Sequence, residues 1–419
     1  MKTTGLIVEY NPLHNGHEYH FLESKRVSGA EGTIAVMSGQ FLQRGEPAMV
    51  GKWARAEMAL RMGVDLVLEL PVAYSTQPAE WFAYGAVSAL HATGVVDSLC
   101  FGSESGEIHW LQTVADAMCD EPEAFQSALQ DELKTGLPYP AAYSRAIARH
   151  LPEVDPSELA KPNNTLGLHY LIALQRLNSG IKPLTITRQK SGYNQTEITD
   201  QSIASATALR RILFEQGKLE ELVSFVPSGT MKVLQRETAV GRAPIEWEHY
   251  AKPLLLQLLH NNAPQLAELH EVTEGLEHRI KHVLPQLSLS GESGRIVEQL
   301  IGLLKTKRYT RTKLQRMLVR ILLNQTKTQL SPSVLRQGVP YLRVLGFSPA
   351  GRHLLKQMKH VSKVPIITNV NTASSEAYPL LHMDVQATSV YALGYHAATE
   401  HDLFRDYYEP PVQLSQSDK

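Results

Sequence analysis

Apolar runs alternate with polar breaks through the first half of the chain, and that alternation predicts strands and helices in turn. Residues 5–8 (GLIV) are apolar and partly β-branched, as in a short buried strand. Residues 9–12 (EYNP) break the run as a turn, with Pro12 fixing φ. A helix is expected from His14 to about Arg26. Residues 33–37 (TIAVM) predict a second strand, 38–46 a polar loop, 49–62 a helix and 64–70 (VDLVLEL) a third strand. A helix over 78–93 leads to a fourth strand at 97–101, which ends at Gly102. A helix over 166–178 precedes a fifth strand at 183–188 (PLTITR), and a further helix starts near residue 202. Strand and helix in alternation predict an α/β fold with a parallel sheet covered on both faces. Ligands of such sheets lie beyond the carboxyl ends of the strands, so the loops after Val8, Met37 and Phe101 are expected to converge.

Two regions depart from this rhythm. Residues 108–150 carry no strand signal and predict three helices, so a helical insertion is expected over about 107–160. From about Lys218 strand signals mostly stop, and residues 247–261, 266–284 and 296–304 show helical periodicity. The expected organisation is an α/β domain at 1–217 and a mostly α-helical region at 218–419.

Composition narrows the class. The chain has 419 residues, 43% hydrophobic and 20% charged, which suits a globular protein of two or three domains. Two cysteines, Cys100 and Cys119, argue against a disulfide scaffold and for a reducing compartment. With no leader signal and no run near the ~18 apolar residues of a membrane helix, a cytoplasmic protein without a membrane partner is expected.

Net charge is −1, but its distribution is uneven. Residues 299–375 contain no Asp or Glu and fourteen Lys and Arg. Such an excess fits phosphate-backbone binding, and Lys307, Arg308, Arg311, Arg316 and Arg320 fall within fourteen residues that read as helical. Tyr309, Tyr341 and Phe347 are interleaved and could stack on unpaired bases. The bland alternative is a solvated surface answered by the acidic stretch at 246–298.

The candidate chemistry sits at the first strand-to-helix turn. There the backbone N–H groups and the positive helix end suit a phosphate, Gly16 permits close approach, and His14 and His17 lie one helical turn apart. Metal binding is the rival reading, because His14, His17 and His20 are evenly spaced. Zinc helices use an i, i+4 pair instead, and no metal site is expected. The stretch 45–52 (GEPAMVGK) imitates a P-loop, but it has one residue too many and Trp53 where Ser or Thr belongs.

Strand, H-x-G-H and helix together resemble the nucleotidylyltransferase superfamily, which includes class I aminoacyl-tRNA synthetases. The resemblance implies a Rossmann-like domain, ATP as substrate and adenylyl transfer, with both histidines on the phosphates. Residues 204–210 (ASATALR) resemble its second phosphate motif, I-S-S-T-x-I-R. Ser205, Thr207 and Arg210 match, whereas Ala204 and Ala206 depart.

Longer stretches are similar to one family. They are IVEYNPLHNGH at 7–17, SGQFLQRGEPAMVGKWARAEMAL at 38–60, FGSES at 101–105, PNNTLGLHY at 162–170, IASATALR at 203–210 and KRYTRTKLQRMLVRILL at 307–323. They resemble the bacterial tRNA(Met) cytidine acetate ligases. That resemblance implies activation of acetate with ATP to acetyl-adenylate, then acetyl transfer to N4 of the wobble cytidine of elongator tRNA(Met). The implied ATP contacts are Ile7, Val8, Glu9, Tyr10, Asn11, Pro12, Leu13, His14, Asn15, Gly16, His17, Glu18, Tyr19 and His20, with Gly102, Asn163, Arg188, Gln189, Ser205 and Thr207. Magnesium is expected with ATP. The competing readings are a small-molecule adenylyltransferase acting on a phosphorylated metabolite, and a non-catalytic RNA-binding protein.

Overall fold

The computed structural model describes residues 1–187, 204–289, 295–373 and 377–414. Its centre is one sheet of eight strands: β1 (Thr3–Val8), β2 (Gly32–Ser38), β3 (Leu66–Leu70), β4 (Ser98–Ser103), β5 (Lys182–Thr187), β6 (Leu342–Phe347), β7 (Ile366–Ile367) and β8 (Val412–Gln413). The order is β5-β4-β1-β2-β3-β6-β7, with β8 beside β6. The first five strands are parallel, as their near-continuous apolar runs predict. After β3 the chain crosses to the other side of β1 to form β4. This reversal opens a crevice at the carboxyl ends of β1 and β4.

Helices cover both faces. Ala79–Thr93 and Pro162–Arg176 pack in one apolar core, and Asn15–Ser28 and Lys52–Met62 in the other. The expected insertion is helical, with His109–Met118, Glu123–Lys134 and Tyr139–His150 and the short turn Pro156–Leu159. A Cβ on Gly167 would lie 2.6 Å from the Phe101 ring, so glycine lets the helix Pro162–Arg176 sit close against β4.

The second half of the chain is mostly helical but returns to the sheet. β6 runs antiparallel to β3, and β7 and β8 flank β6, so the sheet continues across the expected division at 217/218. The sequence reading shows no strand at 342–347, because Arg343 interrupts the apolar run. In the fold Arg343 is buried against Asp406 at 3.3 Å. Asp406 also meets Lys52 at 3.0 Å, and Lys52 meets Glu69 at 2.9 Å. The P-loop-like stretch at 45–52 thus ends in a lysine held by two buried carboxylates.

Candidate active site

The crevice predicted by the strand order is a cleft of about 180 Å³. β1 and its exit supply Ile7, Val8 and Glu9; the first helix supplies His14, Gly16, His17, Tyr19 and His20; β4 supplies Phe101 and Gly102; and Asn163 faces it from the helix Pro162–Arg176. Of the sequence-predicted ATP contacts, these ten that begin with Ile7 and end with Asn163, Phe101 excepted, line one cavity. Gln43, Leu166, Tyr170, Ile186 and Thr187 join them.

The histidines are fixed by the backbone of their own helix start. His14 Nδ1 accepts the N–H of Gly16 at 3.0 Å, and His17 Nδ1 accepts the N–H of His14 at 3.3 Å. The pair closes a capping box in which imidazoles stand where Ser and Glu commonly do. With Nδ1 accepting, the proton of each neutral ring sits on Nε2, which makes Nε2 a donor. The ring centroids are 3.9 Å apart, and Tyr10 meets the His17 ring edge-on at 5.1 Å.

Glu9 lines the same cavity. Its Oε1 accepts the N–H of Gln43 at 2.7 Å. Burial raises the Glu9 carboxyl above the usual range, against the opposing Gln43 hydrogen bond. Behind it, the buried Arg55 donates to the carbonyls of Glu9 at 2.7 Å and Ser38 at 3.0 Å, and also to that of Gly39. Arg55 therefore ties together the exits of β1 and β2. Nothing in the sequence singles it out, because it stands inside an ordinary helical pattern.

Asn163 is positioned by Glu104, just past β4. Glu104 Oε1 accepts the Asn163 backbone N–H at 3.1 Å and its amide at 2.6 Å, and Oε2 accepts the Asn164 N–H at 2.8 Å. A carboxylate thus caps this helix N-terminus.

Other predicted contacts stand behind or beside the cleft. Tyr10 and Leu13 are buried in the core. Asn11 Oδ1 accepts the N–H of Met49 at 2.6 Å, and Asn15 donates its N–H to Phe225 at 2.9 Å. Pro12 and Glu18 also fall outside the lining. Ser205 caps the helix Ala206–Gln216 by accepting the Ala208 N–H at 3.1 Å. Neither Ser205 nor Thr207 lines the cleft, while Arg210 donates to the Asn11 carbonyl at 2.8 Å and so anchors the histidine turn. Arg188 and Gln189 lie outside the described residues, immediately after the lining residue Thr187. Among the described residues, no group of three His, Cys, Asp or Glu side chains is placed to hold a metal ion.

The basic segment differs from the expectation in four ways. Its helix is Arg311–Leu322, capped by Thr310, so Lys307 and Arg308 precede it. Arg320 cannot meet RNA: it is fully buried, donating to the Val72 carbonyl at 3.2 Å and also to Thr76 and Gln325. Tyr341 cannot stack on a base either, because it is buried with its hydroxyl 2.6 Å from Asp384. The remaining arginines face the preceding acidic stretch. Arg308 meets Glu274 at 2.5 Å, Arg311 meets Glu298 at 2.6 Å and Arg316 meets Glu271 at 2.9 Å. Lys307 is exposed.

A parallel sheet with a switch-point cleft, and two histidines at the first helix N-terminus, define a nucleotidyltransferase-type site. Comparison with known proteins agrees. The family model for HIGH nucleotidyl transferases matches residues 1–406. The tRNA(Met) cytidine acetate ligase of Alkaliphilus metalliredigens is 40% identical over 407 residues, covering 94% of each chain. That of Caldanaerobacter subterraneus is 39% identical over 417 residues, covering 99% of this chain and 100% of the relative. The solved structure of Thermotoga maritima TmcAL bound with alpha-thio ATP superimposes with a TM-score of 0.90 at 34% identity, over 99% of this chain and 100% of that one. The chain belongs to the tRNA(Met) cytidine acetate ligase family.

Proposed function

We propose that the protein activates acetate with ATP and transfers the acetyl group to N4 of the wobble cytidine of elongator tRNA(Met). In the first step an acetate oxygen attacks the α-phosphorus of ATP, and pyrophosphate leaves. In the second the cytidine amine attacks the acetyl carbon, AMP leaves, and the amine proton is released. Hydroxide is a poor leaving group from acetate and AMP a good one, so the weakly nucleophilic amine needs the adenylate. The target base must be unstacked, which an anticodon loop permits.

One observation carries this reading. Both His14 and His17 line the cleft with Nδ1 held by backbone N–H groups, so two Nε2–H donors are preorganised. They suit the charge that develops on the phosphates as pyrophosphate departs. Gly102, with Asn163 as Glu104 fixes it, forms the facing wall for the nucleotide, and Arg188 and Gln189 belong to the same reading by their family resemblance. Magnesium would enter as the counter-ion of the ATP phosphates and would help neutralise the charge on the departing pyrophosphate. Glu9 is the one carboxylate among the described lining residues, too few for a dedicated cage.

The test is ATP–pyrophosphate exchange with a panel of acids, with and without tRNA. Exchange that depends on acetate is expected. Exchange that responds only to a phosphorylated metabolite would overturn the proposal in favour of a small-molecule adenylyltransferase.

A further inference from the structure

The cations of the acid-free segment differ in how far carboxylates answer them. Those of the helix Arg311–Leu322 and its lead-in are largely answered by Glu271, Glu274 and Glu298. The helix Pro349–Val361 is different. Its apolar side, Leu354, Leu355 and Met358, is buried. Arg352, Lys356 and Lys359 are exposed and spaced by four and three residues, which places them on one helical face. Lys363, also exposed, follows just beyond the helix end. Among the described residues none of these four forms an ion pair with a carboxylate.

Two of the four are held in place by uncharged neighbours. Arg352 lies over the Phe347 ring at 5.6 Å and donates to Gln413 Oε1 at 2.9 Å. Lys363 Nζ is 2.5 Å from His91 Nε2, in a depression that it shares with Lys2 and Lys182 at the amino ends of β1 and β5. Burial and the neighbouring Lys363 lower the pKa of His91, which keeps the ring neutral and able to accept from the ammonium. The one carboxylate lining that depression, Asp97, accepts the backbone N–H of Thr3 at 2.8 Å.

We propose that Arg352, Lys356 and Lys359, continued by Lys363, Lys2 and Lys182, form the track that holds the phosphate backbone of the RNA substrate. The proposal rests on the reading that this substrate is an RNA. Charge complementarity selects the occupant, because a row of unanswered cations at one helical spacing releases counter-ions from a polyanion. The helix begins where Ser348 bonds the Asp65 carbonyl, at the amino end of β3, so the sheet separates the track from the cleft. Six residues of strand span about 20 Å. An RNA whose target nucleotide lies in the cleft therefore follows the protein surface for at least that distance to reach the track.

Two variants test this. One carries R352Q, K356Q and K359Q; the other carries R308Q and R311Q. Each is titrated with tRNA over a range of salt, and each is assayed for acetate-dependent pyrophosphate exchange without RNA. The triple variant is expected to bind tRNA more weakly, with its salt slope reduced by about 2–3, since each phosphate contact contributes about 0.7–0.9. Its exchange should match the wild type, and the double variant should keep wild-type affinity. An unchanged affinity and slope in the triple variant, with exchange intact, would overturn the track. So would a loss confined to the double variant. A wild-type protein without acetate-dependent exchange would overturn the earlier reading alone, and the RNA titrations would still decide the track.

Discussion

Glu104 holds Asn163 by two hydrogen bonds to one oxygen, at 3.1 and 2.6 Å, across 59 residues of sequence. The carboxylate itself lies outside the lining, so it acts on the cleft through Asn163. Replacing Glu104 with Ala is expected to raise the KM for ATP in pyrophosphate exchange by about tenfold, the equivalent of one hydrogen bond to a charged group. kcat should change less. A variant that lost kcat at unchanged KM would argue against a positioning role.

His17→Ala is expected to slow acetyl-adenylate formation by about 10²–10³-fold, the cost of one transition-state donor. The helix start loses an acceptor as well, because His17 Nδ1 takes the His14 N–H. His17→Asn, whose side-chain oxygen can take that N–H, separates the two effects. It should restore thermal stability without restoring the rate. Single-turnover formation of acetyl-adenylate, beside a melting curve, reads both.

The two ends of the basic segment differ in how far sequence could reach. Its charge was legible, as were five strands and the histidine pair, because apolar runs and short motifs are local. The acidic stretch at 246–298 was legible as the alternative partner, but which of its carboxylates meets which arginine was not. Glu271, Glu274 and Glu298 fold back onto Arg316, Arg308 and Arg311 from outside the acid-free window. Arg343 hid β6 in the same way, since a charge in an apolar run reads as a break until its partner Asp406 is known. Asn163 could be carried over by resemblance, but the carboxylate that orients it could not.

Arg320→Ala should unfold the protein more readily rather than weaken RNA binding. The buried guanidinium satisfies the carbonyls of Val72 and Thr76, and its loss leaves them without that donor. A loss of about 2–6 kcal/mol is expected in urea unfolding, from two buried carbonyls left without a donor at about 1–3 kcal/mol each. The fraction that remains folded should bind tRNA as tightly as the wild type.

Glu271 links stability to acid. Burial pushes its carboxyl up, but Arg316 and Lys313 together pull it down to about 2, below the ordinary 4.5. Its contribution is therefore complete above about pH 4.5 and is lost as pH falls towards 2. The shift corresponds to roughly 3 kcal/mol. Unfolding free energies of the wild type should fall more steeply between pH 5 and about pH 2.5 than those of Glu271→Gln. Parallel curves would show that the pair contributes nothing.

The late strand β6 has a consequence for synthesis. β3 is complete by Leu70, yet its neighbour begins only at Leu342, about 270 residues later. At roughly 5–20 residues per second, the ribosome takes on the order of 15–50 s to deliver it. Throughout that interval the nascent first half of the chain carries an open row of backbone donors and acceptors along β3. Stalled chains that end before 342 should be held by chaperones, and chains released at that point should aggregate.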